Sequence, residues 1–183
     1  MFLDQGYEQT TIEAIAVSVG MTKRTIYALY DDKAALFKAT VQHAIEQWAV
    51  PHAMLRSLET DDLEQTLKGV ARMRIAQVMT PEGQKLQRII NTESYRFPSI
   101  FTAYYEQATR PVVDFLAALF VRHRASGKIR VAHPQMTANM FLSLVLGGPL
   151  RAMVSGYQPQ AQQMEERIEL CVHLFLNGIQ TRK

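Results

Sequence analysis

Residues 10–30 read Thr-Thr-Ile-Glu-Ala-Ile-Ala-Val-Ser-Val-Gly-Met-Thr-Lys-Arg-Thr-Ile-Tyr-Ala-Leu-Tyr, and this stretch decides the fold. Thr10 and Glu13 have the spacing of a capping box, which predicts the start of a helix, and Gly20 suits the left-handed turn that ends it. Thr22 is the predicted N-cap of a second, two-turn helix over 23–29. The spacing therefore predicts two short helices joined by a glycine-containing turn.

The rest of the chain also has helical periodicity, and no window alternates β-branched with polar residues. Asp31 or Asp32 is expected to cap a long helix over 33–50, and Pro51 marks its end or a kink. Further helices are predicted over 61–79, 84–96, 98–126, 133–156 and 160–181, with breaks near Pro111 and at 147–149. These patterns predict an all-α protein.

Composition excludes several classes of protein. Of the 183 residues, 48% are apolar and 20% are charged, which is typical of a globular chain and not of a disordered one. A single cysteine excludes an internal disulfide framework and a cysteine-rich zinc module. The uncharged stretch 134–150 is too short and too polar for a membrane span, and the first residues do not resemble a secretory signal. We therefore expect a cytoplasmic protein with no membrane partner.

The net charge of +3 and the pI near 9.1 suggest a nucleic-acid partner, but the charges are unevenly placed. Residues 1–50 hold four Lys or Arg and six Asp or Glu, a net charge of −2, so the remaining 133 residues carry +5. The basic character of the chain thus lies outside the segment that decides the fold.

Two short helices around a glycine turn are typical of a helix-turn-helix motif, in which the second helix lies in the DNA major groove. The same spacing also occurs in many all-α cores. Spacing alone therefore leaves a DNA-reading interpretation and a purely structural one open.

Residues 6–37 closely resemble the DNA-binding region of the tetracycline-repressor (TetR) family, without gaps. The matching features are Gly6-Tyr7, Thr10-Thr11-Ile12, Ile15-Ala16, Gly20, Thr25-Ile26-Tyr27, Tyr30, Lys33 and Leu36-Phe37. Residues 88–98 and 127–130 are similar to one branch of that family. The family's first helix normally begins well before Phe2-Leu3, so this chain is expected to retain only the last turn of it.

The resemblance implies a homodimer with an N-terminal helix-turn-helix DNA-binding domain over 1–50 and a C-terminal helical domain over 51–183. The C-terminal domain of the family binds a small effector and dimerises. The function implied is that of a repressor that binds a pseudo-palindromic DNA operator as a dimer and is released by a small-molecule effector. The alternative is a small-molecule-binding helical dimer that has lost sequence-specific DNA binding.

Eight side chains are candidates for DNA contact. They are Thr11, Thr22, Lys23, Arg24, Thr25, Tyr27, Tyr30 and Lys33. The first turn of the second helix reaches base edges, where Lys23 or Arg24 can pair with guanine.

Four of these candidates have their own rationale. Tyr27 and Tyr30 resemble the family's phosphate-contacting aromatics, although packing is an equal alternative for Tyr30. Lys33 looks like the family's phosphate-contacting lysine, and a nearby anion would explain a cation at a helix start. Thr11 either contacts a phosphate or simply caps its helix.

Polar or aromatic groups within the apolar C-terminal helices are candidates for the effector site. They are Asn91, Glu93, Tyr95, Tyr104, Tyr105, Asn139 and Met140, and ordinary packing or surface exposure is an equal alternative for each. Close approach at a glycine pair and an apolar face of the last helix predict the dimer interface. Its candidate residues are Leu144, Gly147, Gly148, Ile168, Val172 and Phe175, with burial inside one chain as the alternative.

Catalysis finds little support in the sequence. There is no glycine-rich phosphate loop, nucleophile elbow or His-Glu-x-x-His motif, and the five histidines are scattered. The pair Glu169 and His173 is interpreted as helix neighbours rather than a metal site, and Cys171 as a buried, inert thiol. We expect no enzyme activity, no cofactor and no metal.

Overall fold

The computed structural model describes residues 1–154, 156–157 and 160–180. Its α-helices are α1 (Phe2–Gln9), α2 (Ile12–Ser18), α3 (Lys23–Leu29), α4 (Lys33–Glu46), α5 (His52–Ser57), α6 (Leu63–Met79), α7 (Pro81–Glu93), α8 (Pro98–Tyr104), α9 (Arg110–Ala125), α10 (Pro134–Val154) and α11 (Ala161–Ile179). A π-helical turn, Tyr105–Thr109, lies between α8 and α9, where the sequence predicts a break near Pro111. The predicted all-α fold is confirmed.

The chain forms two compact units that do not follow the predicted boundary at residue 50. Unit 1 contains residues 1–49 and 81–108, and unit 2 contains residues 50–80 and 109–183 as far as they are described. Helices α7 and α8 belong to unit 1 because they pack against α1 and α4. The assignment of DNA binding to 1–50 and effector binding to 51–183 stays a prediction.

An aromatic cluster forms the centre of unit 1. Phe37 of α4 is fully buried, and its ring centroid lies 5.2 Å from those of Phe2 and Tyr7 in α1 and 5.0 Å from that of Phe97. Edge-on and tilted rings at these distances attract each other beyond the burial of their area. The cluster therefore joins α1 and α4 to the chain between α7 and α8.

Helix α1 contains a break that its glycine makes possible. Gly6 has φ +83°, a conformation that disfavours other residues, and an added Cβ would lie 3.2 Å from Glu93 Oε1. The same carboxylate oxygen accepts a hydrogen bond from the Tyr7 backbone N–H at 3.1 Å. Glu93 of α7 thus accepts from the Tyr7 backbone N–H, which the break in α1 leaves without a helical acceptor.

The start of α2 corrects the predicted capping box. The N-cap is Thr11, whose hydroxyl accepts from the Ala14 N–H at 3.1 Å, whereas the Thr10 hydroxyl is buried and donates to the Gly6 carbonyl at 2.8 Å. The prediction placed the cap one residue too early because Thr10 is needed to close the turn that follows Gly6.

In unit 2, α9 packs against α10, and α6 packs against both α10 and α11. Phe175 of α11 lies between Phe120 of α9 and Phe141 of α10, with ring centroids 5.7 and 4.9 Å away.

None of the helices in the described part of the chain is long and apolar enough to cross a membrane. Those same residues hold no group of three potential metal ligands.

The predicted interruption at 147–149 is wrong, because α10 continues through Pro149. Proline has no N–H, so the Val145 carbonyl four residues earlier loses its helical donor. Arg167 of α11 replaces it: Nε donates to the Val145 oxygen at 3.4 Å, and Nη2 donates to the Leu144 oxygen at 2.8 Å. Gly148 lies beneath this guanidinium, and an added Cβ would be 2.9 Å from it.

We expect Gly148→Ala to be less stable than Gly147→Ala, although both replace a helical glycine. Alanine favours the helix by up to about 1 kcal/mol at either position. At Gly148 the new methyl group displaces the Arg167 guanidinium, whose hydrogen bonds to carbonyls contribute about 1.5–3 kcal/mol. No atom of the described residues lies within 4 Å of a Cβ at Gly147. Urea unfolding at matched oligomeric state measures the difference, and equal free energies of unfolding would contradict the role given to Arg167.

Candidate nucleic-acid interface

The helix-turn-helix is built by two threonine caps and one glycine. Thr11 caps α2, and the Thr22 hydroxyl caps α3 by accepting from the Thr25 N–H at 3.2 Å. Gly20 has φ +66°, which only glycine adopts freely, and the Met21 N–H returns to the Ala16 carbonyl at 2.9 Å. The turn predicted from the sequence is therefore present.

A small apolar core fixes the two helices against each other. Ile12 and Ala16 of α2 and Ile26 of α3 are buried together, with Tyr30 and Leu36 packed against them. Burial of Ile26 turns the opposite side of α3 outward. Tyr30 thus has a packing role, which is the alternative that the sequence left open.

The outward side of α3 carries four of the candidate DNA contacts. Lys23, Arg24, Thr25 and Tyr27 are all exposed. Within the described residues, Arg24 makes no hydrogen bond or ion pair, so its guanidinium is available to a ligand. Arginine can bind guanine in the major groove through two parallel hydrogen bonds.

Lys23 differs from Arg24 because it already has a partner. Its ammonium donates to the Glu13 carboxylate of α2, and this hydrogen bond holds the pKa of Glu13 below its usual range. Both side chains are more than half exposed, so the pair is open to solvent and salt. The pairing of Glu13 with Lys23 was not predicted from the sequence, because the two residues are ten positions apart and the turn between α2 and α3 brings them together.

The threonine hydroxyls of this surface are also engaged locally. Thr22 Oγ1 and Thr25 Oγ1 lie 2.9 Å apart and share a hydrogen bond. The Thr11 hydroxyl is used as a cap, which is the alternative given for it above. Thr11, and whichever of Thr22 and Thr25 accepts in this bond, keep an O–H that can donate to a phosphate oxygen.

Lys33 at the start of α4 has two partners in unit 1. Its ammonium lies 4.4 Å from the centroid of the Tyr7 ring and donates to the Glu8 carbonyl at 3.3 Å. These contacts account for a cation at a helix start without a bound anion. The phosphate contact of Lys33 therefore stays a prediction carried by the family resemblance.

The effector candidates are distributed over both units. In unit 1, Glu93 supports the break in α1, and the Tyr104 hydroxyl accepts from the amide of Gln87. Tyr95 is 99% exposed, so it does not line an enclosed cavity of this chain. Tyr105 is partly buried. The side-chain amides of Asn91 and Asn139 donate to carbonyls four residues earlier in their own helices.

The effector candidate Met140 and the dimer-interface candidates, all in unit 2, differ in how exposed they are. Met140 is on the surface, as are Gly147 and Gly148, and Leu144 is 39% exposed. Ile168, Val172 and Phe175, in contrast, pack inside unit 2 of their own chain, which is the alternative stated for this face. The exposed apolar residues of α11 are Leu170 and Leu174, at 57% and 56%.

Cys171 lies on the buried face of α11, as predicted from the sequence. Its thiol contacts the Leu144 carbonyl at 3.6 Å, and burial raises its pKa above the usual value. The protonated thiol is the less reactive form.

Comparisons with known proteins agree with this geometry. Residues 1–40 match the profile of the bacterial regulatory proteins of the tetR family, and residues 65–178 match that of the C-terminal domain of AefR-like transcriptional repressors. YvkB, an uncharacterized HTH-type transcriptional regulator of Bacillus subtilis strain 168, is 23% identical, covering 98% of this chain and 91% of its own.

Two solved structures are also similar. A regulator of Mesorhizobium loti MAFF303099 assigned to the TetR family has a TM-score of 0.79 and 26% identity, over 98% of this chain and 91% of its own. The flavonoid-responsive regulator FrrA has a TM-score of 0.72 and 30% identity, over 100% of this chain and 92% of its own. Since the C-terminal profile alone covers more than half of the chain, the protein belongs to the TetR family of transcriptional regulators.

Proposed function

We propose that the protein is a ligand-responsive repressor that binds a pseudo-palindromic operator as a homodimer and is released by a small-molecule effector. The observation that carries this proposal is the outward side of α3, where Arg24 has no protein partner within the described residues and Tyr27 is exposed. Residues 1–50 form the DNA-reading domain in this proposal.

The charge of the reading domain sets how it binds. Its net charge of −2 gives no general attraction to phosphates, so affinity depends on a few placed cations. Lys23 is partly neutralised by Glu13, which leaves Arg24 as the main base-reading side chain. Base contacts rather than overall charge then account for a large share of the specificity.

Two observations support dimerisation through α10 and α11. Leu170 and Leu174 are one helical turn apart, so they form an exposed apolar stripe on α11. Leu144 and Gly147 lie on the surface of α10, where an added Cβ at Gly147 meets no atom of the described part of the chain within 4 Å. This stripe replaces the predicted face of Ile168, Val172 and Phe175, which is used inside the chain.

The effector is proposed to bind residues 51–183. The C-terminal match to AefR-like repressors supports a repressor, and the description of FrrA as flavonoid-responsive supports control by a small molecule. The proposed location is the cytoplasm, where a regulator of transcription in a bacterium meets its DNA. The alternative, a helical dimer without sequence-specific DNA binding, predicts no preferred DNA fragment.

Gel-shift titration of genomic fragments at several salt concentrations tests this function. We expect preferential binding to one fragment, and we expect this preference to persist as the salt concentration rises. Light scattering should show two chains bound per site. Binding without sequence preference at every salt concentration would refute the repressor proposal and favour the alternative.

For the preferred fragment, we expect Arg24→Ala to reduce the preference for the operator bases. We expect Lys33→Ala to lower the affinity for DNA of every sequence by the same factor. Loss of Arg24 costs about 1–3 kcal/mol on the operator and little elsewhere, whereas loss of Lys33 lowers the salt slope by about one. Fluorescence anisotropy on operator and scrambled DNA measures both. Lys38→Ala is the matched control, since the Lys38 ammonium also lies over a ring, 5.7 Å from that of Phe97. Equal loss of discrimination in the Arg24 and Lys33 variants would contradict these roles.

Glu13→Gln is expected to strengthen binding to DNA of any sequence, because it removes a negative charge beside α3 and releases Lys23. The gain is roughly three- to tenfold at low salt and shrinks as salt screens the new contact. Glu46→Gln, which removes the same charge at the C-terminal end of α4, is the control and changes affinity less. Anisotropy titrations that show no gain over the control would rule out Lys23 as a DNA contact.

A further inference from the structure

Helix α6 carries an arginine within its buried face. The Arg74 side chain is 1% exposed, although its charge normally keeps an arginine at the surface. Leu67, Val70, Ala71 and Val78 are buried at helical spacing from it, so they share its side of α6. This helix packs against α10 and α11, which places Arg74 in the interior of unit 2.

The guanidinium of Arg74 is only partly satisfied. Nη1 donates to the Gln77 side-chain oxygen at 2.5 Å, whereas Nε is enclosed and has no acceptor. No carboxylate of the described residues forms an ion pair with Arg74. Within the part of the chain that the structure describes, a neutral amide one turn away is thus the only acceptor for this buried positive charge.

The other cations of α6 show what a compensated charge looks like in this unit. Lys68, which is nearly as buried, pairs with Glu64 at 2.7 Å and Glu169 at 2.5 Å. Arg72, which is half exposed, binds the Glu165 carboxylate through Nε at 2.9 and 3.0 Å. The most enclosed cation of the helix is therefore the one without an acidic partner.

This arrangement is costly for a side chain that serves only the fold. Arginine does not release its proton in proteins, so it cannot escape burial by becoming neutral. An enclosed charge without a counter-charge is strongly unfavourable, and an apolar residue of similar volume would stabilise the same position. An unsatisfied buried donor of this kind points to a partner that comes from outside the chain.

We propose that Arg74 is the anion-binding residue of the effector site, and that the effector is a small organic acid with an apolar body. The planar Nε edge of a guanidinium fits a carboxylate through two parallel hydrogen bonds. The buried apolar residues beside Arg74 on α6 give its surroundings the apolar character that suits a hydrocarbon or aromatic body. This inference rests on the proposed ligand-responsive function and adds the chemical class of the ligand.

The test compares acids with their neutral amides on the 183-residue chain. Benzoate, 1-naphthoate and octanoate are titrated by calorimetry and thermal unfolding, each beside the corresponding amide. We expect at least one acid to raise the unfolding midpoint and to bind about tenfold or more tighter than its amide. In Arg74→Met the affinity for that acid falls by roughly 30-fold or more, since the buried charge pair is lost. Three acids that bind no better than their amides would overturn the proposal.

Lys68→Met is the matched control on the same helix. It leaves Glu64 without its cation and leaves Glu169 with Arg72 alone, so we expect a lower unfolding midpoint and an unchanged preference for the acid. Unliganded Arg74→Met is expected to unfold at the same temperature as the parent protein or higher, because an uncompensated charge has been removed. An Arg74→Met variant as destabilised as Lys68→Met, or one that keeps the acid preference, would show that Arg74 is structural.

DNA binding separates this inference from the function on which it rests. Unliganded Arg74→Met should bind the operator like the parent protein while the acid no longer releases it. Sequence-specific DNA binding combined with no acid preference would refute the inference alone. Absence of specific DNA binding, with the acid preference and its dependence on Arg74 intact, would refute the repressor function alone.

Discussion

Phe37 is the contact on which unit 1 depends, because three other aromatic rings meet its fully buried side chain. Two of these rings come from α1, and the third, Phe97, follows α7. The helix-turn-helix formed by α2 and α3 adjoins this centre through the chain on either side, since α4 begins three residues after Tyr30. Their orientation is therefore coupled to residues 81–108, which lie far away in sequence.

Charged side chains hold the short α1 in place around this centre. Lys33 and Arg96 both lie over the Tyr7 ring, 4.4 and 4.5 Å from its centroid. Arg88 donates to the Leu3 and Asp4 carbonyls at 2.7 and 2.5 Å, and the hydrogen bond from Lys85 lowers the pKa of Asp4. An eight-residue helix with a break in it is thus stabilised by α7 rather than by its own length. Any ligand that displaced α7 would act on α1 and α4 within the same unit.

Local signals in the sequence predicted the helix-turn-helix well. Thr22, Gly20 and the spacing of Ile12, Ala16 and Ile26 act within a few residues of each other, so their effect on the backbone can be worked out without the fold. Contacts of α1 with α7 could not be predicted, because Arg88 and Glu93 are more than eighty residues from their partners.

Periodicity was a weaker guide in the C-terminal helices. It identified the apolar face of α11 but could not say whether a second subunit or the same chain covers it. The glycine pair and Pro149 also predicted a break at 147–149, but α10 continues, and Arg167 of α11 donates to the Val145 carbonyl that Pro149 leaves without a helical donor. The sequence shows that Arg74 lies within the apolar stripe of α6. Its significance became clear only from the structure, because no carboxylate of the described residues pairs with it.

Hydrogen–deuterium exchange of a Phe97→Ala variant tests most directly whether unit 1 depends on the aromatic cluster. Phe101→Ala is the control, since Phe101 is an exposed aromatic residue of α8. Loss of the Phe97 ring is predicted to accelerate exchange in α1, α4 and α7 together, while α6 and α11 of unit 2 keep their protection. Faster exchange confined to the residues next to position 97, with α1 and α4 as protected as in the control, would contradict the account.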